Sequence, residues 1–583
     1  MTLRVIAALL LFLTVNVSAS ERWWPTQKLP KTVLSASPSG TAQEMMVQSI
    51  AGLAAKAVNE VRGDELVWVE TGNLSLKEWV SRWRTAHPAV GLTNATPWEL
   101  VERFAKTGVI KGYILYRRDK SRRELNAYSA DMDCSVNVAT SLASVLDGII
   151  VDESIEQEAI SHGLKRLADA RGKTQAWCFD TYRDRFNRTM LCAQDPKKPH
   201  TRDFAIAQKA FVVYGAAEPT STVMKWLEPL SPILGWNGGD EFETTDLSSK
   251  YGHIQTATDW CMNLPVLMAG SEQADPAKVK SISPKSIDFA DQRSAVSFIQ
   301  TDGDNVQWLQ GNFFHHPSYW ANSDRGRIPF GWSMCFAQLT QLTPHTIDFA
   351  IATASTNDSL TEWGGGYYYP DHFGAARSNR WELLAKHARR TAALMKKTDS
   401  RIIAFNVTQH DSADARKSYE VFARETEGLL GILVFQYSPY EAGAGKTFWV
   451  KDRNNVELPV VTARYSIWEN SNQRPRSGTP AKVAREIRDT VQKASDARYD
   501  WVITHAWSYF KKAPGSDENA ESIPQDKAHL HNAERGYAPV EWCAERLPKN
   551  VLVVSAEELL WRIRMQHDPA QTKKLIEQFN SGR

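Results

Sequence analysis

Residues 361–373 read Thr-Glu-Trp-Gly-Gly-Gly-Tyr-Tyr-Tyr-Pro-Asp-His-Phe, and neither an ordinary helix nor an ordinary core strand accommodates that string. Gly364, Gly365 and Gly366 open conformations with φ > 0 and let another backbone or a ligand approach closely. Tyr367, Tyr368 and Tyr369 supply flat apolar faces with a hydroxyl at the rim, and Pro370 stiffens the exit. Glu362, Asp371 and His372 bracket the run with titratable groups. A rigid aromatic loop beside carboxylates suits a polyhydroxylated ligand such as a sugar. A purely structural surface loop is the competing reading.

The chain around this loop is long. At 583 residues it exceeds one ordinary core and implies two or three domains. A net charge of +2 leaves no electrostatic footprint for nucleic acid. At the N-terminus Arg4 supplies a positive start, Val5–Leu13 an apolar run, and Val17-Ser18-Ala19 a small-residue cleavage pattern. Residues 1–19 therefore read as a cleaved signal peptide, and the mature chain as secreted or periplasmic. The apolar run is short for a membrane span, and no integral membrane segment is expected after its removal. The six cysteines permit disulfides in an oxidising compartment, with Cys178 and Cys192 the best local pair. No Cys-x-x-Cys is present, which argues against a thiolate zinc site.

Two parts are expected: an N-terminal α/β region over 20–285 and a barrel-like domain over 286–583. In the first, Thr41–Val61 and Ser135–Leu146 read as helices, Val109–Tyr116 and Gly148–Val151 as strands, and Glu156–Ala170 as a further helix. Ser231–Tyr251 reads as a long loop, and Asp275–Ser286 as a linker. In the second, eight β runs are expected, at Ala295–Thr301, Ile328–Trp332, Ile347–Ala354, Ile402–Thr408, Gly431–Tyr437, Leu458–Tyr465, Trp501–His505 and Val551–Ser555. Helical spacing at Asn379–Lys396, Ala413–Leu429, Ala481–Ala494 and Ala556–Arg564 separates several of them. That rhythm is the length of a TIM-like (β/α) barrel, with a distorted or seven-stranded closure, or an open α/β sheet, as alternatives.

Active sites of such barrels lie at the C-terminal strand ends. There the chain places Asp302-Gly303-Asp304-Asn305, Asn406 before Thr408-Gln409-His410-Asp411, Arg464, and His505-Ala506-Trp507. Glycoside hydrolysis needs two carboxyl groups flanking the bond. The expected pair is Asp302 or Asp304 as base or nucleophile and Glu362 as acid. Asp371 and Asp411 stand in reserve, and Asp259 is a candidate from the N-terminal region. Trp363, Tyr367, Tyr369 and Trp507 are candidate stacking surfaces, and Asn406, Arg464 and His505 candidate polar contacts. The Asp302–Asn305 stretch also reads as an Asx-rich turn or, with no EF-hand spacing, an irregular calcium site. No cofactor is otherwise expected. His315-His316 are poorly spaced to chelate one ion, and neither His-Glu-x-x-His, Gly-x-Ser-x-Gly nor a Walker loop occurs.

Gly364-x-Gly366-Tyr367-x-Tyr369-Pro370, with Thr301–Asn305 upstream and His505–Ser508 downstream, resembles the GxGYxYP glycoside hydrolase family. The region before about residue 290 resembles that family's N-terminal companion. The resemblance implies a carbohydrate substrate and hydrolysis of a glycosidic bond. A carbohydrate-binding protein without catalysis and a metal-dependent hydrolase of a decorated glycan are the alternatives.

Overall fold

A computed structural model describes residues 22–215, 219–469, 473–511, 521–523 and 533–581. The expected signal peptide lies outside the described residues. The N-terminal region is built from three small parallel sheets. In the first, Thr32–Ala36 lies between Glu65–Val69 and Gly91–Asn94. In the second, Gly112–Tyr116 lies between Gly148–Asp152 and Arg166–Asp169. The third runs in the order Ile254–Thr256, Pro232–Gly235, Leu191–Ala193, Phe211–Val213. The Ala-rich helix Gly40–Asn59 is buried on nearly every side, as a helix apolar all round must be. Gly52 lets it approach the Asp203 carbonyl and Ile206 closely.

Two expectations for this region fail. Glu156–Ala170 is no single helix: Gly163, at φ +79°, ends the helical turn, and the chain re-enters the sheet as Arg166–Asp169. Ser231–Tyr251 is no loop: it holds the strand Pro232–Gly235 and the helix Glu241–Lys250. That helix hides its start in polar residues. Asp240 caps it by accepting from the Glu243 amide, and its buried face is Thr244, Thr245, Ser248 and Ser249 rather than aliphatic.

The C-terminal half forms one sheet of 11 strands, mostly parallel. Ser294–Gln300, Phe330–Met334, Asp358–Glu362, Ile402–Val407 and Gly431–Gln436 follow in chain order. Val460–Thr462 then pairs Ile432–Val434; the chain bends at Ala463-Arg464, and Tyr465–Ile467 pairs Val502–Thr504. Tyr499–Thr504 returns to Ser294–Gln300. One bent segment thus touches both flanks, and the sheet is a curled, barrel-like surface rather than a regular (β/α)8 barrel. Val551–Val553 lies beside only the N-terminal half of Ser294–Gln300.

The expected strand Ile347–Ala354 is instead the helix Pro344–Thr353. Pro344 suits a first helical turn, and Ile347, Ala350 and Ile351 bury one helical face. The strand at this place is Asp358–Glu362, polar in composition yet fully buried. All six cysteines are free: Cys178 sits on the helix Gln175–Tyr182 and Cys192 within the strand Leu191–Ala193, so the expected bridge is absent. Among the described residues no helix is long and apolar enough to cross a membrane.

The glycine–tyrosine loop joins the two regions. Gly364, Gly365 and Gly366 have φ of +62°, +78° and +134°. Tyr367 then pairs antiparallel with Gln255 of the third N-terminal sheet, by hydrogen bonds of 3.0 Å in both directions. The Tyr369 amide donates to Ser249 Oγ at 3.0 Å. At Gly366 an added Cβ would lie 2.3 Å from Ile254 and 2.6 Å from Gln338. Gly366→Ala is expected to lower stability by about 3 kcal/mol, combining a forbidden φ with overpacking, and a fall in Tm checks it.

Candidate functional site

A cleft of about 200 Å³ opens at the C-terminal ends of the barrel-like strands, against the N-terminal region. The sheet brings Asp302, Asp304, Trp363, Asn406 and Trp507 to it; the N-terminal region brings Glu241, Asp259 and Trp236.

Asp302 and Asp304 follow the strand Ser294–Gln300. Asp302 occupies the left-handed region at φ +66°, which turns the chain sharply off the strand. Its Oδ1 accepts from Trp507 Nε1 at 2.8 Å and its Oδ2 from the Thr301 hydroxyl. Gly303 packs against Ser333, where a Cβ would stand 2.5 Å from the backbone. Asn305 then caps the helix Val306–Gly311. The stretch is thus a turn rich in Asp and Asn that closes the strand, with the Asn305 amide donating to the Asp302 carbonyl, and both aspartates line the cleft.

Glu241 was not foreseen. It is the first residue of the helix Glu241–Lys250, and its Oε1 accepts from the Tyr367 hydroxyl at 2.5 Å. Tyr367 is fixed on a second side by the Trp236 ring, stacked at 5.9 Å, and Asn406 Nδ2 reaches its hydroxyl at 3.4 Å. The Asp240-x-x-Glu243 capping pattern was the available signal for this helix. It marks a helix start, and says nothing of what the next residue faces.

The three carboxyls repel one another. Burial pushes Asp304 well above the ordinary range, and the neighbouring charges of Asp302 and Glu241 add to the shift. Glu241 is at the exposed mouth by surface area, yet protein crowds its carboxyl. That desolvation raises it, with Asp302 adding to the rise. Asp259, 1% exposed, is held by the Lys198 ammonium; desolvation raises its carboxyl and Lys198 opposes the rise. Among the described residues no group of three or more His, Cys, Asp or Glu is arranged to hold a metal ion.

Several expected residues lie elsewhere. Glu362 ends the strand Asp358–Glu362 and is wholly buried. Its Oε2 accepts from the Ala337 amide and its Oε1 from the Gly365 amide, both at 2.9 Å, so it ties the helix Phe336–Leu342 to the glycine turn. It does not line the cleft. Asp371 is likewise buried and accepts from the Thr408 and Gln409 amides. Tyr369 packs behind the cleft on Phe242 and Tyr437. Arg464 pairs with Asp500, near the start of Tyr499–Thr504. His505 stacks on Trp468 and bonds Ser508; burial lowers its pKa, against the pull of Asp302.

An α/β protein with a carboxylate cleft between a curled parallel sheet and smaller companion sheets is the class that these features define. The chain belongs to the GxGYxYP family. The model described as "GxGYxYP putative glycoside hydrolase C-terminal domain" matches residues 293–513. The GxGYxYP_N second domain matches 110–186, and the GxGYxYP third domain 187–269. No curated protein matches the chain. A crystal structure of a "putative hydrolase" from Bacteroides thetaiotaomicron shares the fold, with a TM-score of 0.73 over 93% of this chain and 96% of that one, at 21% identity.

The Glu362 carboxyl, pushed up to about 7 by burial from 4.5, carries a stability consequence. Between those values the folded state holds a proton that the unfolded state releases. This residue's contribution is thus full below about 4.5 and lost as pH rises through about 7. Glu362→Gln leaves one amide without an acceptor, at about 1–3 kcal/mol. The variant is expected to melt lower and to lose this share of the pH dependence. Thermal unfolding at several pH values checks both, and a curve parallel to the parent's would contradict the assignment.

Proposed function

We propose that this chain is a glycoside hydrolase, with Asp304 as the general acid and Asp302 as the base or nucleophile. The observation that carries the reading is the meeting of Asp302, Asp304 and Glu241 in one cleft walled by Trp236, Trp363, Tyr367 and Trp507. Glycosidic cleavage needs one carboxyl that keeps its proton and one that is ionised, and unequal surroundings divide those roles. Asp304 is the buried, upshifted member. Asp302 is oriented by Trp507 and Thr301. The expected acid, Glu362, is replaced in this scheme because backbone amides occupy both its oxygens. Glu241 acts through its charge: with Asp302, it keeps the Asp304 proton in place.

The family description supports a sugar substrate, and the fold neighbour's description supports hydrolysis. The flat ring faces suit the apolar side of a pyranose. In this proposal residues 20–285 are companion domains that complete the cleft, and the Arg4 to Ala19 pattern supports action outside the cytoplasm.

Asp304→Asn is expected to lower turnover of a glycan substrate by about 10²–10⁴-fold while retaining binding, as loss of a general acid should. A parent chain that binds oligosaccharide without turnover would leave the binding-protein reading instead. The pH profile gives a second test. The acid form of Asp304 is the active one, so activity falls as pH rises through its elevated pKa. Glu241→Gln removes a repelling charge and should move that alkaline limb to lower pH. An unmoved or upward-shifted limb would refute the assigned roles.

A further inference from the structure

Trp260 is the most exposed of the 21 tryptophans, with 47% of its surface open. A single exposed ring is unremarkable by itself. This one is built in. Lys198 lies 4.3 Å from the ring centroid, and His200 packs against it at 5.0 Å. Lys198 is 1% exposed, so an ammonium has been buried beneath an open indole. The same ammonium bonds the Asp259 carboxylate, and bonds Asn126 Oδ1 at 2.7 Å. Asp259 and Asn126 both line the cleft. The Trp260 amide donates at 2.7 Å to Gln307 Oε1, and Gln307 also lines the cleft.

The ring is therefore braced from one side by Lys198 and His200, of which Lys198 bonds two groups of the cleft wall, and it offers its remaining surface to solvent next to that wall. A cation held against an indole fixes the ring in place. The flat apolar surface left open suits stacking by the C–H face of a sugar ring. Of the neighbouring lining groups, Asn126 and Gln307 carry side-chain amides suited to hydroxyls at the ring's edge.

We infer that Trp260 is the platform of an outer sugar subsite. A second residue of the glycan stacks there while the first occupies the carboxylate cleft, so the chain recognises oligosaccharides rather than single sugars. This rests on the glycoside-hydrolase reading for the identity of the inner ligand, but its test reads binding and not cleavage. Calorimetric titration in the Asp304→Asn background would compare the monosaccharide and tetrasaccharide of the cello-, xylo- and chito- series. At least one series should gain affinity with length. Trp260→Ala should reduce that gain roughly tenfold, and Trp260→Phe should keep most of it. If no series gains affinity with length, or if the gain survives Trp260→Ala, the outer subsite does not exist. Loss of the gain in both variants would mean that Lys198, released from the indole, had disturbed the wall, and would also overturn the stacking assignment. Failure of the catalytic reading would appear separately, as a parent chain that binds with the same length dependence but releases no reducing end.

Discussion

The pairing of Tyr367 with Gln255 holds the functional face together. A loop leaving the curled sheet adds itself, as a short antiparallel partner, to a sheet built from a distant part of the chain. The side chain of the same tyrosine then reaches Glu241. Backbone groups at such a junction are buried and must be paired. The three left-handed glycines make the pairing sterically possible, because side chains at Gly365 and Gly366 would collide with Thr391, Ile254 and Gln338. The motif is therefore a joint, and its chemistry is indirect: it carries Trp363 and Tyr367 to the cleft and leaves Tyr368, Tyr369 and Asp371 as its buried supports.

Like charges are gathered where that joint forms. Asp304 is raised by burial and by two acidic neighbours, one from each side of the junction. The Glu241 share of that shift exists only when the two regions meet. A fold stabilised for its own sake would not crowd carboxyls in this way, since each desolvated charge costs free energy. Concentrated strain of this type marks working sites.

Much of the C-terminal half was legible, because buried parallel strands read as continuous apolar runs bounded by turns. Ile402–Val407 and Gly431–Gln436 are such runs, and their ends were located almost to the residue. The strand Asp358–Glu362 was missed since its residues are Asp, Ser, Leu, Thr and Glu. Its burial is tertiary: Trp332 and Arg325 hold Asp358, and two amides hold Glu362. The helix Glu241–Lys250 was missed for a related reason, its inner face being threonine and serine, of which Thr244, Ser248 and Ser249 return their hydroxyls to the helix backbone. Hydrophobic pattern cannot report a core built largely from buried polar side chains.

The sequence alone determined that three consecutive glycines must turn the chain into left-handed space, that rings must follow, and that acidic side chains sit at the first strand's end. Each is a local consequence of residue type. Which acids share a cleft was decided only by tertiary structure. Glu362, next to the motif, points into the helix Phe336–Leu342 and is consumed by amides; Glu241, more than a hundred positions earlier, stands against Tyr367. A carboxylate's role follows from the donors, charges and solvent around it, and here those neighbours come from different sheets joined at the Tyr367–Gln255 pairing.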